Sequence, residues 1–406
     1  MNLTSVPLLV GLVALLAGLA VGKAWERYKL RDGRWIDRRR ARQSPHYMVG
    51  LNFLVSNHVD LAIEELSKAS KADADALEIH LILGNLYREK GQVGRAVTVH
   101  QALLQRPRLT PLEHAHVLLC LGLDFRRGGF VDRALETFKE VLRLDPTNRY
   151  ALANLQKLYE EQHQWHDAYE VRQQLSTLEG ATGQKRGATV LAFLENELGV
   201  EARSRGDAAE ASRRFQAAID LDPATVPAYL HLGDLRLEDK GASEAAATWE
   251  RVPEVASDRS YLVFERLRSA YTTLGAEGRF IDLCKRLITA NPQDWRARLA
   301  LARERSRAGQ PGDALDLLFE ALAQNPHALL VHQAIWTALA EVADPGPRVA
   351  RYLSLTREVV FYLDPHLCTR CRYRSTELLW HCPQCHEWNT FIEERMTSAL
   401  DEEVSD

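Results

Sequence analysis

Four cysteines fall close together: Cys368-x-x-Cys371, ten residues, then Cys382-x-x-Cys385. Two such knuckles brought face to face present four thiolates, the ligand set of a closed tetrahedral metal site. The turn of each knuckle aims backbone N–H groups at sulfur, which lowers the thiol pKa and stabilises charge around a cation. Four protein ligands leave no open position for water, so metal-centred hydrolysis is disfavoured and the expected ion is structural. Zinc is the first expectation, iron the second and redox-active thiols the third. His381 and His386 flank the second knuckle and read as neighbours of a complete thiolate set, not as ligands. Trp380, Trp388 and Tyr373 are expected to clad the ribbon and dock it on the last helices. Cys120 and Cys284 fall at helical core positions, where a free cysteine behaves as a small hydrophobe. His163 and His166 could share a helix face, but nothing near them completes a site. The sequence holds no glycine-rich phosphate loop, nucleophile elbow or His-Glu-x-x-His motif, so the expectation is a protein that is not an enzyme.

The elements that must position this ribbon are read from self-similarity. A small residue, an aromatic, a glycine, an alanine, a large apolar residue and a proline recur in order. One window holds Gly50, Phe53, Ala62 and Leu66; the next Gly84, Tyr87, Gly91, Ala96 and Leu103; a third Gly122, Phe125, Gly129, Ala134, Phe138 and Pro146. A weaker fourth has Leu155, Tyr159, Ala168 and Leu175. The pattern resumes at Gly199, Gly206, Ala211, Phe215 and Pro223, then at Gly233, Gly241, Ala245 and Trp249; two looser units end at Pro292 and Pro326. Such a period resembles the tetratricopeptide repeat. Each unit is a helical hairpin with apolar residues at i, i+3, i+4 and i+7 on both helices, and it buries its face only by stacking on its neighbours. The expected fold is therefore all-α: a tetratricopeptide-repeat superhelix with an N-terminal transmembrane helix and a small C-terminal rubredoxin-type zinc ribbon. The glycine-rich stretch 183–191 reads as a joint between a first arm, 43–182, and a second, 192–343. One further helix is expected within 344–364 (Val349 to Leu363), then the ribbon at 365–392 and an acidic tail at 393–406.

Residues 2–22 carry no charge, and at about 1.5 Å per residue they span roughly the hydrocarbon core of a bilayer. From Lys23 to Arg42 stand nine Lys/Arg against three Asp/Glu; since the whole chain carries −4, the rest is acidic. Positive charge follows the apolar run and does not precede it, which distinguishes the segment from a signal peptide. The lipid bilayer is thus an expected partner through residues 3–22, with residues 23–42 against anionic head groups. The N-terminus is expected on the periplasmic side and the bulk in the cytoplasm. In that reducing compartment disulfides between the four clustered cysteines are disfavoured. The acidic body argues against nucleic acid as a partner.

Arg88, Arg126 and Arg203 share one position of the repeat frame that commonly looks into the groove of such arrays. They are expected to form a basic row for acidic peptide segments, with Asn85 and Asp234 at another groove-facing position. Helix positions that simply face solvent are the alternative.

The Cys-Pro-x-Cys knuckle at Cys382-Pro383 resembles those of rubredoxins, which keeps iron and electron transfer among the readings. The ribbon is much shorter than a free-standing rubredoxin, however, and no flavin or nicotinamide site accompanies it. Tyr47 to Ala62 (YMVGLNFLVSNHVDLA), His80 to Gln101 (HLILGNLYREKGQVGRAVTVHQ) and Leu379 to Trp388 (LWHCPQCHEW) resemble segments of the lipopolysaccharide assembly protein B family of Gram-negative bacteria. The order of anchor, basic segment, repeats and ribbon is similar as well. The resemblance implies an inner-membrane adaptor that brings the deacetylase of the committed lipid A step (LpxC) to the membrane AAA+ protease FtsH, alongside other lipopolysaccharide assembly proteins. It also implies metal ligands at Cys368, Cys371, Cys382 and Cys385, and a homodimer is compatible with it. A rubredoxin-like electron carrier and a scaffold with unrelated clients are the alternatives. Arg372, where such ribbons often have glycine, departs from the pattern and puts the first turn's backbone geometry in question.

Overall fold

The computed structural model describes residues 44–73, 75–107, 109–342, 344–356 and 366–394. The expected anchor, the basic segment and most of the acidic tail lie outside them, as do residues 357–365. Among the described residues no helix is long and apolar enough to cross a membrane.

The chain forms two compact units, Met1–Gln162 and His163–Asp406. In the first, helices pair as α1 (Pro45–Val55) with α2 (Val59–Ala72), α3 (Leu77–Glu89) with α4 (Val93–Leu104), and α5 (Pro111–Arg127) with α6 (Val131–Leu144), followed by α7 (Arg149–Glu161). The second opens with α8 (Trp165–Leu178), then α9 (Ala181–Ser204) with α10 (Ala208–Leu221) and α11 (Val226–Asp239) with α12 (Ala242–Trp249). A short α13 (Val252–Val255) and a 3-10 helix (Ser257–Val263) interrupt the alternation. It resumes with α14 (Phe264–Thr273), α15 (Gly278–Ala290), α16 (Trp295–Arg307), α17 (Pro311–Gln324), α18 (Leu329–Glu341) and α19 (Gly346–Leu355). This is the all-α tetratricopeptide array expected, with a three-stranded ribbon at the end.

The local chemistry explains the punctuation. Four second helices end on an Asp-Pro or Asn-Pro pair. The side-chain oxygens of Asp145, Asp222, Asn291 and Asn325 accept the backbone N–H two residues on, so the acid or amide closes the turn while proline forbids another helical turn. Between the helices of a pair stands a residue in left-handed backbone. It is glycine at Gly91, Gly129 and Gly206, but Asn57 (φ 58°) and His163 (φ 56°) take the same place in two units. His163 therefore lies in a turn ahead of α8, not on a helix face with His166.

Inside a pair, a small residue on the first helix lies under the residue sixteen positions later on the second. A Cβ on Gly50 would come 2.7 Å from Leu66, on Gly122 2.7 Å from Phe138 and on Gly199 2.6 Å from Phe215; on Gly233 it would enter the Trp249 indole. Trp249 is 1% exposed and has nowhere to go. Gly233→Ala is therefore expected to lose about 1–2 kcal/mol, overpacking outweighing the gain in helix propensity. A lower urea midpoint at an unchanged slope would show it; a raised midpoint would mean the indole yields.

The stretch 183–191, expected to be a joint, is helical: α9 runs through it without a break. Gly183 and Gly187 are four apart and share a face. A Cβ on Gly187 would meet the Arg172 guanidinium at 2.6 Å, so this glycine serves the approach of α8. The cost of glycine in a helix, about 1 kcal/mol each, is offset by the buried run of Val190, Ala192, Phe193 and Leu194 just beyond. The compact units separate at residues 162 and 163 instead. The last helix begins at Gly346, three residues before the expected start, because Pro347 occupies a first-turn position that needs no N–H donor.

Candidate metal centre and its seat on the repeats

The ribbon is built on β1 (His366–Cys368), which pairs antiparallel with β2 (Arg374–Ser375) on one side and β3 (Phe391–Glu393) on the other. Cys368 ends β1, and each knuckle folds back on itself: the N–H of Arg372 donates to the carbonyl of Cys368, and that of His386 to the carbonyl of Cys382, both at 2.9 Å. Arg372 and His386 both take left-handed backbone, φ 63° and 55°. The two turns are thus alike, and Arg372 does not prevent the first from closing.

The four sulfurs converge. All lie within 4.8 Å of one another, with Cys368 to Cys385 at 3.7 Å and Cys371 to Cys382 at 3.6 Å. A tetrahedron of thiolates about 2.3 Å from a zinc ion has edges of about 3.8 Å, so the set fits one ion. Burial pushes the Cys368 thiol up, yet the Thr390 hydroxyl at 3.2 Å and the backbone N–H groups of Cys371 and Arg370 outweigh it and bring it down to about 6. Burial, with the crowding of the other sulfurs, pushes Cys385 up to about 12. Four crowded thiols cannot all ionise side by side without a cation among them, and a divalent ion supplies the missing charge. Cys120 and Cys284 are by contrast pushed up to about 11 and about 12, chiefly by burial, and lie within helix packing as expected.

The seat of the ribbon differs from expectation. Trp388 stacks on Phe193 of α9 at 5.3 Å and 24°, Trp380 lies over the same ring at 6.1 Å, and Trp165 meets Trp388 edge-on at 6.3 Å. His381 stacks on the Trp388 ring at 4.4 Å, which makes it a packing residue. Tyr373 packs edge-on against Phe391 within the ribbon. Polar ties surround this contact: Arg186 with Glu387, Arg259 of the 3-10 helix with Asn389, and Arg296 of α16 gripping Glu393 through two bonds of 3.0 and 2.6 Å. The Arg296 guanidinium also lies over the Tyr261 ring at 4.0 Å. The ribbon thus sits on α9, the 3-10 helix and α16, not on the last helices. The segment that breaks the repeat period, 252–263, supplies Arg259 and Tyr261 to this seat. Its loss of periodicity was the one sequence signal that could have marked it.

Of the five residues expected to face a groove, four have hydrogen-bond partners on neighbouring helices. Arg88 donates to Asp124 at 2.9 Å, Arg126 to Asn154 and Glu161 at 2.7 Å each, and Arg203 to Glu238, every acid lying about one repeat further on. Asp234 accepts two bonds from Arg266 at 2.7 and 3.0 Å. Asn85 has a buried Oδ1 without a hydrogen-bond partner among the described residues. Each of the three arginines is therefore paired with an acid and joins consecutive repeats. One of these ties is wholly buried on its acid side, since Asp124 also bonds His100 Nδ1 at 2.5 Å.

Comparison with known proteins agrees with both parts. Residues 366–393 match the rubredoxin metal binding domain, and residues 47–111 and 196–258 match the tetratricopeptide repeat. Lipopolysaccharide assembly protein B of Escherichia coli strain K12 is 26% identical over 359 residues, covering 86% of this chain and 89% of that protein. Its counterpart in Haemophilus influenzae is 27% identical over 362 residues, with the same coverage. Among solved structures, the C-terminal part of a TPR repeat-containing protein from Cytophaga hutchinsonii aligns with a TM-score of 0.42 and 12% identity, covering 71% of this chain and 99% of that one. In its repeats, its four-cysteine ribbon and along most of its length, the chain is similar to lipopolysaccharide assembly protein B.

Proposed function

We propose that this chain is a membrane-tethered adaptor that limits lipopolysaccharide synthesis by presenting the LpxC-type deacetylase to the protease FtsH. The observation that carries the reading is similarity to assembly proteins along 86% of the chain, repeats and ribbon included. The architecture supports it. Helical pairs stacked in series offer extended surface for polypeptide, and the closed thiolate site has no open position for substrate. The uncharged run 2–22 would hold the repeats at the inner membrane with their bulk in the cytoplasm, raising the local concentration of a client beside a membrane protease. Zinc is the ion proposed for the four thiolates, whose separations of 3.7 and 3.6 Å match the edges of a zinc–thiolate tetrahedron.

Purification of the full chain from solubilised membranes is expected to recover both the protease and the deacetylase. Depletion of the chain is expected to lengthen the deacetylase half-life severalfold. Recovery of neither protein, with an unchanged half-life, would end the adaptor reading.

A further inference from the structure

Beside the ribbon seat lies a cavity of about 150 Å³, lined from the 3-10 helix, α14, α15, α16 and the start of α18. Its walls are apolar: Phe264, Phe280, Trp295 and Leu299 are each more than nine-tenths buried, and Leu330 stands half-exposed at its edge. An apolar cavity of about 150 Å³ stays dry and admits a ring the size of benzene. It is too small for a stretch of backbone. The ribbon steadies one side of it, because Arg296 lies over the Tyr261 ring at 4.0 Å while it grips Glu393.

Charge around the rim is uneven. Arg268 is held by Glu265 at 2.9 Å, Arg307 by Glu304, and Arg296 by Glu393. Arg303 lines the same cavity, is exposed, and has no hydrogen bond or ion pair among the described residues. Trp295, Leu299 and Arg303 follow at four-residue steps along α16, so the unpaired arginine stands about 6 Å along the axis from Leu299. Residues of an extended peptide advance about 3.3 Å each. A ring in the cavity therefore brings an acid one or two places along its chain within reach of the Arg303 guanidinium, for a charge-assisted hydrogen bond.

We propose that this cavity receives one aromatic side chain of a bound polypeptide, while an acidic residue beside it in sequence pairs with Arg303. That the polypeptide is a client rests on the adaptor reading; the recognition does not, and its test contains no client protein. The probe is a short synthetic peptide with both ends blocked, in which one 4-fluorophenylalanine is followed by two glutamates among glycines and serines. It is titrated with the full chain in detergent and followed by fluorine NMR, and a saturable shift is expected. An unlabelled phenylalanine peptide should displace it. The same peptide with alanine for phenylalanine should compete at least tenfold less well, since burying a phenylalanine side chain contributes roughly tenfold to a hundredfold in affinity. Arg303→Glu is expected to weaken binding at least tenfold, and lysines in place of the two glutamates to restore it; the arginine is exposed and unpaired, so its reversal breaks no contact among the described residues. Ala300→Phe, on the cavity lining, fills the space with the protein's own ring and should abolish saturable binding with the helical signal unchanged. No saturable binding to the wild-type chain, equal competition by the alanine peptide, indifference to Arg303→Glu or full binding to Ala300→Phe would each overturn the proposal. So would equal competition by free 3-phenylpropionate, which would assign the cavity to a small aromatic acid. None of these outcomes bears on recovery of the protease and the deacetylase or on the deacetylase half-life, which test the adaptor reading separately.

Discussion

Cys382→Ser is expected to empty the metal site and to release the ribbon while the helical repeats stay folded. Cys382 is fully buried, and the ribbon's own buried core consists of Cys368, Cys382 and Phe391. A segment of 28 residues with so small a core folds on its ion or not at all. Structural zinc contributes on the order of 10 kcal/mol to folding of such sites. A serine hydroxyl in place of one thiolate removes enough of that to leave the ribbon open. Metal content of the purified full chain is expected to fall from about one ion per chain to less than a tenth. Cleavage within residues 366–394 by a protease at low concentration should rise about a hundredfold, while the far-ultraviolet helical signal stays nearly constant. Cys284→Ser serves as control: it places a hydroxyl in the core of the second unit, costs stability there and leaves the metal in place. A colourless wild-type protein with one zinc per chain agrees with the ion proposed; visible absorption from ferric thiolate would replace it with iron. A Cys382→Ser protein that kept its ion and a protease-resistant ribbon would refute the assignment of ligands.

Much of this architecture is legible in the residues alone. Glycine or alanine at one position and a bulky residue sixteen later announce a close helical pair whatever the rest of the unit contains. Asp-Pro and Asn-Pro end a helix by local chemistry alone. The four cysteines announce their site by spacing, because a knuckle's geometry depends on its own few residues. The features that stay hidden are those decided by partners far along the chain. Gly183 and Gly187 read as a break because helix propensity is local, whereas the packing that overrides it comes from Arg172 and the apolar run after Ala188. Arg88, Arg126 and Arg203 read as free charge because the acids that pair with them lie about 35 residues away. Phe193 looks like any core residue of its helix, and nothing near it in sequence reveals that two tryptophans from 187 and 195 positions later lie on its ring.

Phe193→Ala tests that last contact and separates docking from metal binding. The ring is fully buried and serves two indoles, stacked on Trp388 and tilted against Trp380. Truncating a buried phenylalanine costs about 3–5 kcal/mol, including about 0.5–1.5 kcal/mol for an aromatic pair beyond its buried area. The ties that remain are weaker. Arg186 is largely exposed, so its pair with Glu387 contributes little, and the Arg296–Glu393 pair is partly screened at the rim. They cannot hold the ribbon against the loss of its apolar anchor. All four ligands lie inside the ribbon, so the variant is expected to keep one ion per chain while its tryptophan emission shifts to the red and residues 366–394 become open to protease. Phe193→Leu, which preserves most of the buried volume, is expected to show a fraction of the effect and guards against general unfolding of α9. If the adaptor needs the ribbon in place, Phe193→Ala loses deacetylase turnover with its metal intact, a combination Cys382→Ser cannot give. A docked, protease-resistant ribbon in a folded Phe193→Ala protein would show that the arginine ties, and not the aromatic stack, hold it to the repeats.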